Sequence, residues 1–119
     1  MSKSEEIKAR LVQAQSRFWA GDNISAVLQE GDKEELINEA TTAFESVLDA
    51  LVIDRYQDPN SKGTAHRLAK MYYNEIMAGR YDPMPGATAF PNDSTERYEG
   101  MLVVRSELKS MCSHHHQPV

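Results

Sequence analysis

A chain of 119 residues holds about one domain's worth of sequence, and 40% hydrophobic with 26% charged residues places it in the ordinary soluble globular class. A net charge of −5 argues against a nucleic-acid surface, since phosphates would meet a repulsive mean field, while leaving room for an anionic small substrate where basic groups gather. No apolar run reaches the roughly 20 residues that span a bilayer, the start MSKSEEIKAR lacks the apolar stretch of a signal peptide, and a single cysteine forms no internal disulfide, so no membrane partner and a cytoplasmic location are expected.

The first helix is predicted over SEEIKARLVQAQSRFWAG, with Ser4 as its cap, acids in the first turn, apolar Ile7, Leu11, Ala14 and Phe18, and a stop at Gly21. A second begins at Asp32, with Glu35 three residues on as in a capping box, and repeats apolar residues at Leu36, Ile37, Ala40, Phe44, Val47, Leu48 and Leu51. A turn follows at QDPNSKG, where Pro59 and Gly63 end any continuation. The third helix starts with Thr64 as cap, carries Leu68, Met71, Tyr72 and Ile76 on one face and ends at Gly79. Beyond it lies an irregular loop, RYDPMPGATAFPNDSTERYEG, within which ATAF suggests a short strand, and MLVVRSELKSM then reads as a β-strand rich in β-branched residues.

Three helices, one good strand and one doubtful one make an incomplete architecture. A lone strand presents unpaired N–H and C=O groups that invite another chain, and two strands alone are marginal in water. The sheet is therefore expected to be completed by another subunit or by further sequence.

The candidate chemistry lies in KSMCSHHHQPV. Cys112 and His115 have the C-x-x-H spacing that lets a thiolate and an imidazole converge on one zinc ion, and His114, pointing away from its neighbour in an extended backbone, is better placed to carry a proton. Spacing alone leaves metal binding and a bland surface cluster equally open.

SMCSHHHQPV resembles the zinc-site segment of the GTP cyclohydrolase I family, in which serine, a variable residue, cysteine, glutamate and two histidines precede a proline. GTAHRLAKMYYNEIMAG resembles that family's helix with the pattern Thr-Pro-x-Arg followed by Ala-x-Met-Tyr, and the resemblance runs over about residues 33 to 119. It implies an α+β fold, with N-terminal helices followed by the start of a tunnelling-fold (T-fold) antiparallel sheet, truncated or incomplete. Residues 1–30 are then an N-terminal helical extension and 31–119 the N-terminal part of the family domain.

The resemblance further implies Zn²⁺ as cofactor, Cys112 and His115 as its ligands, His114 as general acid/base, and Arg67 as a contact to the triphosphate of the substrate GTP. The implied reaction is the hydrolase chemistry that opens the GTP purine ring to give 7,8-dihydroneopterin triphosphate and formate, in a homo-oligomer, typically a decamer, whose subunits join their sheets around a ring. Its product would feed tetrahydrofolate, biopterin-type or deazapurine (queuosine) synthesis. For Arg67, pairing with a neighbouring acid is an equal alternative; Lys70 reads as surface, and Met71, Tyr72 and Ile76 read as core. Ser113 stands where the family has Glu, and Ala65 where it has Pro. The family's third zinc ligand and its phosphate- and guanine-binding segments have no counterpart in these 119 residues, so the chain by itself is expected to be inactive on GTP. The alternative reading is a non-catalytic helical interaction or metal-binding module derived from the same family.

Overall fold

A computed structural model describes residues 1–91 and 100–119. Four helices carry the fold: α1 (Lys3–Gln13), α2 (Asp32–Ala50), α3 (Thr64–Met71) and the short α4 (Ala78–Tyr81), with a π-helical turn over Tyr72–Ile76 between the last two.

The ends of α1 fall inside their predicted limits for a local reason. Ser2, not Ser4, is the cap: its hydroxyl accepts from the Glu5 N–H at 3.3 Å while the Glu5 carboxylate accepts from the Ser2 N–H at 2.8 Å. A capping box needs its acid three residues after the cap, a spacing that Ser2 has and Ser4 lacks. Ser4 instead donates through its amide and its hydroxyl to Glu39 of α2. The helix closes at Gln13, eight residues before Gly21, because Gln15 takes a left-handed conformation (φ 55°) and the Gln15 and Ser16 amides return to the carbonyls of Val12 and Leu11. That is a Schellman closure, and it removes Phe18 from the helix.

α2 begins at Asp32 as predicted, but the capping box with Glu35 does not form. Gly31, at φ 86°, turns the chain, and the Asp32 carboxylate is drawn to Arg10 of α1 at 2.5 Å and Lys3 at 3.4 Å while accepting from the Gln29 N–H at 2.8 Å. Asp32 is 2% exposed, so its charge is held by these partners rather than by water. A second Schellman closure at Val52 (φ 62°) ends α2, with the Val52 and Ile53 amides bonded to Asp49 and Leu48 carbonyls. Gly63, at φ 75°, is the N-cap of α3 in place of Thr64, whose hydroxyl donates back to Asn60 O. Helical structure runs past the predicted stop, since Gly79 lies inside α4.

Burial follows the apolar periodicity where two helices meet. Ile7, Leu11, Ile24 and Leu36 form one cluster, flanked by Val27, Leu28, Tyr73 and Tyr81, so residues 1–30 are docked on α2 and on the two tyrosines. Leu48, Ala65 and Ala69 are buried as α3 packs along α2, and Ala69 is fully buried. Val47 and Leu51, on the same predicted apolar face of α2, are exposed. The short α4 is stitched to the 18–24 loop: Arg80 donates to Trp19 O at 2.5 Å and Asp22 O at 3.0 Å, and the Ile24 N–H donates to Arg80 O at 2.8 Å.

The predicted sheet is the principal difference. Among the described residues there is no β-ladder; residues 101–110 run without regular structure, with Val103 and Val104 74% and 77% exposed, and 87–90 form no strand. Part of the loop that precedes them, 92–99, lies outside the described residues. β-Branched residues give a segment a preference for extended backbone, but only a partner's N–H and C=O groups make it a strand. The sole pairing among the described residues is an isolated antiparallel bridge between Met111 and Pro118. The helical half of the α+β expectation is observed and the start of the antiparallel sheet is not.

Candidate functional site

The Met111–Pro118 bridge shapes the segment that carries the candidate ligands. Cys112 and Gln117 are joined by a 2.9 Å bond from the Cys112 N–H to Gln117 O, and the His116 N–H donates to Cys112 O at 2.8 Å, so Ser113–His116 form a tight four-residue loop. Outside it the Val119 N–H donates to Ser110 O at 2.9 Å. His116 closes the loop at φ 56°, a left-handed conformation that histidine adopts more readily than most residues.

The loop brings Cys112 Sγ within 3.3 Å of His114 Nδ1. A thiolate and an imidazole bound to one tetrahedral zinc stand about 3.5 Å apart, given the usual Zn–S and Zn–N lengths, so this donor pair suits zinc in both chemistry and spacing. His115, the ligand expected from the spacing, is exposed, with its ring centroid 6.4 Å from that of His114. Among the described residues no three His, Cys, Asp or Glu side chains converge as a metal-holding group. The thiol is half-buried and the three histidines are open to solvent.

Arg67 is engaged by its own end of α3. Its guanidinium donates to Lys62 O at 3.0 Å, Asn60 O at 3.2 Å and Thr64 Oγ1 at 2.9 Å. Two carbonyls and a hydroxyl, rather than the neighbouring acid that was the alternative, hold it among the described residues. These bonds use three of five N–H groups, and the side chain is exposed.

One contact was not anticipated from the sequence. The Tyr72 hydroxyl, expected in the core, lies 3.2 Å from His116 Nδ1, and the two rings are 5.6 Å apart at 51°. Tyr72 also packs on Phe44 of α2, centroids 5.3 Å apart. Beside this contact a cavity of about 390 Å³ opens between Met71, Glu75 and Ile76 on one side and Leu108, Met111 and Pro118 on the other. Nothing in residue spacing joins positions 72 and 116; only a residue left over from the expected ligand set, His116, signalled that the loop held an unassigned group.

Known proteins were then compared with the chain. It is 34% identical over 87 residues to a GTP cyclohydrolase 1 of Flavobacterium johnsoniae, covering 72% of this chain and 38% of that protein. It is 39% identical over 85 residues to a GTP cyclohydrolase 1 of Actinobacillus pleuropneumoniae, covering 71% of this chain and 38% of the relative, and 36% identical over 72 residues to one from Aeromonas salmonicida. The chain belongs to the GTP cyclohydrolase I family. It spans little more than a third of the length of the curated relatives it matches. No family model and no solved structure matches it. No helix among the described residues is long and apolar enough to cross a membrane.

Proposed function

We propose that this chain contributes part of a zinc site for a GTP cyclohydrolase I type reaction, with GTP as substrate and 7,8-dihydroneopterin triphosphate and formate as products. The observation that carries this reading is the tight loop closed by the Cys112–Gln117 and Cys112–His116 backbone bonds, which gathers Cys112, His114 and His115 on a chain that belongs to this family and sets the His114 ring 3.3 Å from the thiol, beside the proposed ligand. Cys112 and His115 are assigned to hold the ion, which when bound supplies hydroxide near neutral pH. His114 gives and takes the proton near the purine ring, a task suited to an imidazole, whose two ring nitrogens can donate and accept. The two guanidinium N–H groups of Arg67 that its own turn does not use are assigned to triphosphate oxygens. Net, one water is consumed per GTP and its purine C8 leaves as formate.

Two or three donors do not complete a catalytic zinc site together with its substrate pocket. The chain alone is therefore proposed to be inactive, with the remaining groups supplied by further sequence or by other subunits of a cytoplasmic ring-shaped homo-oligomer. Segment 101–110, exposed and without a ladder among the described residues, suits the sheet that would join such subunits.

The test is a chimera in which residues 33–119 replace the matching segment of the Actinobacillus pleuropneumoniae relative. The expected result is zinc uptake and formation of dihydroneopterin triphosphate, read by the fluorescence of its oxidised product, both lost with Cys112→Ala. A folded chimera that takes up no zinc and turns over no GTP would overturn the reading.

A further inference from the structure

We propose that Tyr72 and His116 form a latch that positions the Cys112 loop, making Tyr72 and His116 positioning residues for metal binding; the inference rests on the reading of Cys112 as a metal ligand. Three observations converge. First, the Tyr72 hydroxyl and His116 Nδ1 share a 3.2 Å hydrogen bond across 44 positions of sequence, between the two segments that carry the family resemblance. Second, the His116 backbone closes the loop: its N–H donates to the carbonyl of Cys112 itself, and its left-handed φ of 56° turns the chain so that Gln117 O can receive the Cys112 N–H. Fixing the His116 ring therefore fixes the peptide groups on both sides of the thiol. Third, Tyr72 is anchored from behind, by ring packing on Phe44 and by the π-helical turn it begins, in which its carbonyl accepts from the Met77 N–H at 2.8 Å.

The π-turn has a consequence for aim. An i→i+5 turn rotates the residues that follow it relative to a regular helix, and such turns recur where a helix must present a side chain in a set direction. With the aromatic of Tyr72 clamped between Phe44 and His116, the loop is tied to the helical body rather than hanging from residues 101–110, which are exposed throughout. Groups outside the ligand set that orient it typically alter metal affinity by 10–100-fold. Because this bond is open to solvent, a loss of about fivefold to tenfold is expected.

The experiment uses the full 119-residue chain with Tyr72→Phe, His116→Ala and the double variant. Zinc affinity is measured by competition with a chromogenic chelator, and amide hydrogen exchange at Cys112 and His116 by NMR in the absence of metal. Tyr72→Phe keeps the ring on Phe44, so the melting temperature should hold while zinc affinity falls about fivefold to tenfold and both amides lose protection. The double variant should be no worse than the worse single one, since both changes break the same bond. Additive effects, or Tyr72→Phe with unchanged affinity and unchanged exchange, would overturn the latch. If the unaltered chain takes up no zinc, the Cys112 assignment is decided by the chimera, and the exchange data alone decide the latch: lost protection supports it and unchanged protection overturns it.

Discussion

Arg10 on α1 and Asp32 at the start of α2 meet at 2.5 Å, and the same guanidinium nitrogen also donates to Val27 O at 3.0 Å. One ion pair thus ties the first helix, the 25–27 turn and the second helix together beside the Ile7–Leu11–Leu36 cluster. The Arg10 hydrogen bond, foremost, holds the Asp32 carboxyl below the usual carboxylate range against the opposing effect of burial. A depressed folded-state pKa gives stability that is fully present above the unfolded value of about 3.9 and is lost as pH falls through the folded one. Asp32→Asn should therefore lower stability at pH 7 by about 2–3 kcal/mol, because it leaves Arg10 without its buried partner, and the gap to the unaltered chain should narrow below about pH 4. Urea titrations at pH 7 and pH 3.5 check both the size and the sign.

Val52 is a β-branched residue held at φ 62° and 90% exposed, closing α2 where glycine is the usual choice. Its side chain packs on little, so its removal forfeits little burial. Val52→Gly should raise stability by about 1 kcal/mol, the relieved strain exceeding the added freedom of the unfolded chain. A thermal melt that shows no rise would mean the closure is not strained.

Ala69 is fully buried where α3 packs on α2. Ala69→Leu adds three carbons at a fully buried contact and should cost about 1–3 kcal/mol, whereas Ala69→Gly should cost mainly helix propensity, about 1 kcal/mol. A leucine variant as stable as the parent would show that the two helices can separate freely.

Tyr73 lies against Tyr81, ring centroids 4.3 Å apart, and burial above all, with the neighbouring phenol second, pushes its hydroxyl well above the usual tyrosine range. In an alkaline absorbance titration of the five tyrosines, one phenol should stay protonated after the exposed ones have ionised. Its raised pKa contributes stability below about pH 10 that is lost as the pH rises further, so the late phenol should ionise together with unfolding. Tyr73→Phe should remove that late step, and persistence of the step would assign it elsewhere.

Cys112 sits on a hairpin and is not part of the Ile7–Leu11–Ile24–Leu36 cluster. Cys112→Ala should weaken zinc uptake while leaving the far-ultraviolet circular dichroism and melting temperature of the helical body within error. A coincident loss of helicity would make the cysteine a structural residue instead.

Helix existence was legible because it depends on local spacing: Leu36, Phe44 and Leu48 recur at helical intervals whatever surrounds them, and the family membership was carried by two ordered motifs. The donor residues were legible as a cluster, but their arrangement was not. Cys112 was found from its spacing to His115, yet the loop places His114 beside the thiol, because the Cys112–His116 backbone bond curls the segment that an extended reading keeps straight.

The sequence by itself determined helical periodicity, the absence of a membrane-length apolar run and the motifs that join the chain to GTP cyclohydrolase I. Tertiary structure alone decided the rest. It turned Asp32 from a helix cap into a buried ion pair, ended α1 at Gln13, drew Tyr72 out to His116 and left 101–110 without a ladder among the described residues. Each of these outcomes depends on a partner distant in sequence, or on a backbone turn chosen by competing hydrogen bonds, and neither is encoded in the spacing of neighbouring residues.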